Sequence, residues 1–142
     1  MLKIKIISVG KTKEEWLETA IAEYVKRLQA IALIECVWAK NDGHLLELVK
    51  KESLVVCCDA KGDLMTSEQF SGFLHKKLIE GGSRLAIVIG GAEGLPEELR
   101  EGSGCALMSL SRMTLTHQMV RLLLVEQIYR AFEIAKGSKY HK

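Results

Sequence analysis

The feature that most constrains the fold of this chain is an alternation of apolar, strand-like segments with amphipathic, helix-like segments from end to end. One of these segments, 84–89, is apolar without interruption after its first residue, which is typical of a strand buried on both faces of a parallel sheet. The pattern predicts an α/β domain with a mostly parallel sheet and helices on both faces. The predicted strands are 3–9, 33–38, 54–58, 84–89 and 105–110, and the last predicted helix is 117–136.

Length and composition favour one domain with a full core. The chain has 142 residues, near the commonest domain size, and 48% of them are apolar. We therefore expect a single domain over 1–142. The apolar runs are far shorter than the ~20 residues of a membrane helix. The N-terminus has the pattern of a strand and not of a signal peptide. The expectation is a cytoplasmic protein without a membrane segment.

The charge of the chain is nearly balanced, but its C-terminal end is basic. The net charge is +2, and the segment 121–142 has five Lys or Arg against two acids. This local excess could attract phosphate, although solvated helix faces are often basic as well. The four cysteines form no Cys-x-x-Cys and no paired His/Cys spacing, so reduced thiols and no metal site are expected.

Local patterns mark several helix starts. Segments 12–15 and 66–69 both fit a capping box, and Pro96 suits the first turn of a short helix. The helix 117–136 is apolar over more than one stripe. It is therefore either buried between other elements of its own domain or packed against a partner.

Three glycine- or hydroxyl-rich turns are candidate ligand sites. Gly10-Lys11-Thr12 is not a P-loop, because Lys5 stands where the motif requires glycine. The turn 90–94, GGAEG, is not the dinucleotide-binding fingerprint. It is either a plain tight turn or a place where backbone approaches a ligand closely. The loop 110–115 follows the fifth strand and could offer backbone polar groups and apolar walls to a purine ring.

Four isolated side chains are candidates for acid–base chemistry. None of them forms a Ser-His-Asp arrangement or a metal cluster that can be read from the order of the residues. A single His or Asp is more often structural than catalytic. The candidates are Asp59, Glu93, His117 and His141.

Taken together, four segments resemble one known family. They are VIGGAEG at 88–94, LSRMTLTHQMVR at 110–121, EQIYRA at 126–131 and YHK at 140–142. The chain resembles the ribosomal large subunit methyltransferase H family, the 23S rRNA pseudouridine-1915 N3-methyltransferases of the SPOUT class. The resemblance extends over the whole chain, including ISVGK at 7–11 and CDAKG at 58–62.

The resemblance implies a fold, a cofactor and a set of contacts. It implies a SPOUT-type α/β domain with a C-terminal trefoil knot that works as a homodimer on the assembled ribosome. The cofactor is S-adenosylmethionine, with no metal. The implied cofactor-binding residues are Cys58, Gly90, Leu110, Ser111, Arg112, Met113, Thr114 and Leu115.

The resemblance also implies roles for the basic end of the chain. His141 is the candidate for substrate positioning or proton handling, and Tyr140 could stack on the base or hydrogen-bond to it. In a dimer this tail could complete the neighbouring subunit's site; the alternative is a frayed terminus. The candidate contacts to RNA phosphate are Arg121, Arg130, Lys139 and Lys142.

Two residues depart from the family pattern. Cys58 stands where the family usually has leucine, and backbone could still make the contact there. Thr116 stands where the family usually has proline, and its hydroxyl can cap the last helix instead. Two other functions remain open: a non-catalytic RNA- or ribosome-binding module with the same fold, and an unknotted, monomeric flavodoxin-like domain.

Overall fold

The computed structural model describes residues 1–100 and 104–142. Strands and helices alternate along these residues, as the sequence predicts. In chain order the elements are β1 (Leu2–Val9), α1 (Glu15–Leu28), β2 (Ala32–Ala39), α2 (Asp42–Lys50), β3 (Val55–Leu64), α3 (Ser67–Glu80), β4 (Arg84–Ile89), α4 (Glu97–Arg100), β5 (Ala106–Ser109) and α5 (His117–Lys136).

The strands form one five-stranded sheet in the order β2-β1-β4-β3-β5, and every pairing is parallel. β4 lies at the centre, between β1 and β3. Its residues from Leu85 to Ile89 are all buried, as an uninterrupted apolar strand requires. The predicted parallel sheet and its buried fourth strand are confirmed.

Helices cover both faces of the sheet. The larger core joins the sheet to α1, α3 and α5 through residues such as Ile21, Leu74 and Ile128. A smaller core on the opposite face is built by α2 and α4, with Leu45 and Leu99 against the sheet. The predicted arrangement of helices on both faces is confirmed.

The broad apolar surface of α5 is used mostly inside the protomer. α5 packs against both α1 and α3, and it buries Leu124, Ile128, Ala131 and Phe132. Leu123 remains 37% exposed. Of the two explanations left open by the sequence, burial between elements of the same domain accounts for most of these residues.

The predicted helix starts at Thr66 and Thr116 agree with the structure. Thr66 and Gln69 form the predicted capping box of α3, and Thr116 caps α5 by accepting a hydrogen bond from the amide of Met119. The capping box predicted at 12–15 is wrong. α1 begins at Glu15, with no side-chain cap, because the Thr12 hydroxyl is buried and occupied elsewhere.

β3 is longer than predicted. The predicted strand ends at residue 58, whereas β3 continues through an irregularity at 59–62, and its pairing with β5 resumes at Asp63 after a shift of register. A β-carbon at Gly62 would lie 2.7 Å from the backbone of Met108. Glycine is therefore needed for the two strands to approach here.

The Thr12 hydroxyl is hydrogen-bonded to Arg121, whose guanidinium is buried. Arg121 is 1% exposed. Its Nε donates to the Ser8 hydroxyl at 2.9 Å, its Nη1 to the Thr12 hydroxyl at 2.7 Å, and its Nη2 to the carbonyls of Val9 and Gly10. The guanidinium also lies 4.2 Å from the ring centroid of Trp38.

This placement corrects the prediction that Arg121 contacts RNA phosphate. A phosphate cannot reach a side chain with almost no exposed surface. Burial lowers the pKa of Arg121 to about 10, so the group stays protonated at neutral pH. Its charge is stabilised by uncharged hydroxyl and carbonyl oxygens, which tie the start of α5 to the segment that follows β1.

We expect Arg121→Met to lower the free energy of unfolding by about 2–4 kcal/mol, because it deletes several charge-assisted hydrogen bonds and leaves buried oxygens unpaired. Urea denaturation measures the change. Lys76→Met removes an exposed cation from α3 and serves as the control, with a change within about 0.5 kcal/mol. Equal effects of the two substitutions would contradict a structural role for Arg121.

Candidate cofactor crevice and C-terminal tail

A cavity of about 750 Å³ opens at the carboxyl ends of β4 and β5 and beside the irregular part of β3, and it extends to the first turns of α1 and α5. These three strands are neighbours in the sheet, so these segments meet at one edge. Ligands of open α/β sheets bind at such an edge. The volume lies within the range of about 300–1,000 Å³ that is usual for small-molecule sites.

The cavity brings together most of the residues proposed for the cofactor. Seven of the eight line it: Cys58, Gly90, Leu110, Ser111, Met113, Thr114 and Leu115. Arg112 is not among the lining residues. Its guanidinium donates a hydrogen bond to the carbonyl of Ala60 and so ties the loop after β5 to the irregular part of β3.

Gly90 allows the turn after β4 to fold back closely on itself. A β-carbon at this position would lie 2.6 Å from the amide nitrogen of Leu95 and would also clash with the backbone of Gly94. The turn is closed by a hydrogen bond from the Gly94 amide to the Gly91 carbonyl. The close contact is within the turn itself, so Gly90 is needed for a tight turn, and this turn contributes Gly90, Gly91 and Gly94 to the lining of the cavity.

The loop after β5 is held by its own hydroxyl groups. The Ser109 hydroxyl donates to the Ser111 carbonyl, and the Ser111 hydroxyl accepts a hydrogen bond from the Met113 amide, both at 2.9 Å. These short bonds order the loop before any ligand binds. Most residues of the loop line the cavity, together with the buried side chains of Ile89 and Leu95.

Cys58 contributes an uncharged wall. Burial raises the pKa of its thiol to about 12, so it stays protonated at neutral pH. A neutral thiol is close to an aliphatic side chain in polarity. The departure from leucine at this position therefore preserves the apolar character of the wall.

Two of the four acid–base candidates lie at the cavity. Asp59 and His117 line it, and Asp59 is 3.9 Å from Nε of Arg100. Glu93 is exposed and is not among the lining residues. Burial and the nearby Arg121 lower the pKa of His117, so this ring is neutral at neutral pH.

The tail lies elsewhere, folded back along α5. Gly137 ends the helix in the left-handed conformation, with φ of 74°. Tyr140 then packs edge-on against Tyr129, with ring centroids 4.7 Å apart, and its hydroxyl donates to Glu126 at 2.8 Å. Burial and the Glu126 hydrogen bond raise the pKa of Tyr140, so it remains a donor. The tail is packed on its own helix and is not frayed.

His141 is held between α5 and α3. Its Nδ1 is 3.0 Å from Nη1 of Arg130, and its Nε2 is 3.4 Å from a carboxylate oxygen of Glu68. Arg130 also pairs with Glu126 at 2.9 Å. Glu126 and Glu68 were not assigned roles from the sequence. Glu126 and Arg130 are four residues apart in a predicted helix, so their pairing could have been predicted from the sequence. The contact with Glu68 could not, because it depends on how α3 packs.

The residues proposed to contact RNA therefore differ in whether a phosphate can reach their side chains. Arg121 is buried. Arg130 is partly buried and engaged with Glu126, His141 and the ring of Tyr140. Lys139 and Lys142 are exposed at the end of the tail.

The tail lies along the middle of α5, beyond the part of the helix that lines the cavity. The lining of the cavity extends along α5 to Val120, and Glu126, which accepts the hydrogen bond from Tyr140, is six residues further on. At ~1.5 Å per residue this step is roughly 9 Å. No residue of 138–142 is among those that line the cavity of its own protomer.

Within the part of the chain that the structure describes, no helix is long and apolar enough to cross a membrane. No group of three or more His, Cys, Asp or Glu among those residues is arranged to hold a metal ion.

The fold and the crevice define an α/β domain of the kind that binds a nucleotide-like ligand at the carboxyl edge of its sheet. A family model described as "Predicted SPOUT methyltransferase" matches residues 2–141. The chain belongs to the SPOUT methyltransferase family.

Curated relatives agree with this assignment over the full length. A protein of Protochlamydia amoebophila named ribosomal RNA large subunit methyltransferase H is 61% identical over 142 residues, with 100% of both chains covered. A protein of the same name from Halothermothrix orenii is 39% identical and covers 99% of this chain and 100% of its own.

Solved structures support the fold. A probable methyltransferase from Bordetella pertussis has a TM-score of 0.56 at 11% identity and covers 92% of this chain and 96% of its own. TrmJ from Z. mobilis has a TM-score of 0.51 at 11% identity, with 92% and 70% covered.

We expect Gly90→Ala to open the turn after β4, because the new β-carbon meets backbone that cannot move independently. The free energy of unfolding should fall by about 1–3 kcal/mol, and calorimetry should show weakened binding of S-adenosylmethionine. Gly72→Ala is the matched control, since its β-carbon meets nothing within 4 Å in α3. Undiminished cofactor affinity in Gly90→Ala would contradict the assignment of Gly90 to the wall of the cofactor site.

We expect His117 to make the protein less stable as the pH falls below about 6.5, the usual pKa of an unfolded histidine. Because the folded pKa is lowered, the unfolded state binds the proton first, and stability falls until the folded group is protonated too. Urea denaturation between about pH 5 and pH 8 should show a flatter profile for His117→Gln. Identical pH profiles of stability for the two proteins would contradict the lowered pKa of His117.

Proposed function

We propose that the protein is an S-adenosylmethionine-dependent methyltransferase that methylates N3 of a pseudouridine in the 23S RNA of the large ribosomal subunit. The full-length 61% identity to a relative named ribosomal RNA large subunit methyltransferase H carries the proposal. The cavity supports it, because seven of the eight residues expected to bind the cofactor line one crevice.

The crevice fits the cofactor by its chemistry. Gly90 admits close approach of backbone, the 110–115 loop offers backbone donors and acceptors, and Ile89 and Leu95 supply buried apolar walls for an adenine ring. Bound there, S-adenosylmethionine supplies a methyl group activated by its sulfonium centre. The residues of the loops hold the donor in position for in-line transfer to a ring nitrogen.

The tail supplies polar groups suited to the acceptor base. N3 of pseudouridine carries a proton that must leave for the nitrogen to be methylated. Tyr140, a hydrogen-bond donor with a raised pKa, is suited to orient the base, and His141 to position it or handle the proton. Lys139 and Lys142 are the exposed cations for nearby phosphates, with Arg130 positioning His141.

The proposal includes a homodimer in which the tail of each subunit completes the site of the other. The structure gives this proposal one supporting observation: no residue of the tail lines the crevice of its own protomer. Exposed Leu123 on α5 offers apolar surface for such a contact. The C-terminal trefoil knot, in which the loops after β4 and β5 would lie, belongs to the same proposal.

The assembled ribosome is the proposed substrate, and the reaction is therefore placed in the cytoplasm. A domain of 142 residues has little surface with which to recognise RNA sequence, and its net charge of +2 gives little general affinity for phosphate. Ribosomal surfaces around the target base would supply the missing recognition.

Methyl transfer from labelled S-adenosylmethionine tests the function. Large ribosomal subunits lacking the modification should accept label from the purified protein, and naked 23S RNA should accept much less. RNA binding without cofactor affinity would favour the alternative, a non-catalytic ribosome-binding module. Absence of label from large-subunit RNA would refute the enzyme.

We expect His141→Ala to lower turnover and to leave the calorimetric affinity for S-adenosylmethionine nearly unchanged, because His141 is not among the residues that line the crevice. If tails act across the dimer, mixing His141→Ala with Gly90→Ala chains should restore part of the activity, since a mixed dimer contains one intact crevice and one intact tail. Equal loss of turnover and cofactor affinity in His141→Ala would place the histidine in the cofactor site.

A further inference from the structure

Trp16 is the second residue of α1 and is unusually exposed for a tryptophan. The helix buries Leu17 and Ile21 on its inner side, whereas the Trp16 side chain is 60% exposed. Large exposed apolar groups at the edge of a cavity are a common mark of a binding surface.

Trp16 lies at the open edge of the cofactor crevice. Both it and Met113, which is 76% exposed, line the cavity, whose deep walls are buried residues such as Ile89 and Leu95. Among the described residues that line the cavity, Trp16 is the only Phe, Trp or Tyr. The site therefore has one aromatic face, and that face is at its mouth.

The position of the Trp16 ring favours a contact with the substrate base over a contact with the cofactor. On the proposed function, the adenine of the cofactor lies against the buried side chains of Ile89 and Leu95, and the exposed side chains of Trp16 and Met113 are left for a second ligand. An RNA base that is modified in its ring must leave its stack to reach a methyl donor. Unstacked bases are commonly held against aromatic side chains.

The charges around Trp16 also favour a base over the RNA backbone. Glu14, Glu15 and Glu18 are exposed beside it, with Lys11 and Lys13 preceding them. Three carboxylates in the same turn disfavour contact with phosphate. A neutral base, which the indole face can hold by stacking, avoids this repulsion.

We propose that Trp16 is a substrate-binding residue whose indole stacks on the unpaired target base at the mouth of the crevice. The inference rests on the proposed function and adds to it a contact from α1, separate from the tail. The ring recognises the flat face of a pyrimidine and leaves its N3 edge free to face the methyl donor.

The experiment compares Trp16→Ala and Trp16→Phe with the unmodified protein and with Ile79→Ala. Ile79 is 82% exposed on α3 and is not among the residues lining the cavity, so its substitution controls for loss of exposed apolar surface. Urea denaturation checks folding, calorimetry measures S-adenosylmethionine affinity, and sedimentation measures the mass of the assembly. Methyl transfer to unmodified large subunits gives kcat/KM.

Trp16→Ala should lower kcat/KM by about tenfold to a hundredfold, the effect usual for loss of one base–aromatic stack. Trp16→Phe should retain most of the activity, and Ile79→Ala should match the unmodified protein. Cofactor affinity and assembly mass should be unchanged in all four proteins.

Three results would overturn the inference. Weakened cofactor binding in Trp16→Ala would place the ring against the adenine, and a changed assembly mass would place it in a subunit contact. Unchanged kcat/KM would show that no base stacks there. If the unmodified protein itself transfers no methyl group, the proposed function fails and this inference fails with it, a result distinct from a loss confined to Trp16→Ala.

Discussion

The buried guanidinium of Arg121 connects the parts of the structure that build the crevice. It extends from α5 to two hydroxyls and two carbonyls between Ser8 and Thr12, and the ring of Trp38 covers it. A buried cation is costly unless its donors are all used. Because these acceptors occupy fixed positions at the end of β1 and just after it, the start of α5 is held at the carboxyl edge of the sheet.

The crevice depends on this attachment and on one close backbone approach. With α5 held in place, the loop 110–115 has little freedom, and its serine bonds reduce that freedom further. Gly90 lets the neighbouring turn fold back beside it. The result is a preformed cavity lined by the turn after β4 and by the loop after β5. Such a site suits a cofactor that must be held rigidly for in-line transfer.

Functions are distributed along α5. Its first turn lines the crevice, and its middle turns hold Tyr140 and His141 through Glu126 and Arg130. Neither tail residue is among those that line the crevice of the same protomer. This arrangement supports the proposal that two subunits build each active site, and Trp16 adds a contact at the crevice itself.

The sequence by itself determined the features that depend on local pattern. The bounds of β4 and α5, the cap at Thr66 and the edge at which ligands bind all follow from periodicity, capping residues and the direction of parallel strands. The candidate cofactor residues came from resemblance, and seven of the eight line the same cavity. Only the tertiary structure decided the role of Arg121, because the acceptors of its hydrogen bonds lie more than a hundred residues away in the chain. The same holds for Thr12, which has the pattern of a helix cap but binds that guanidinium, and for the exposure of Trp16. Burial and pairing are set by which elements meet, and a local pattern does not contain that information.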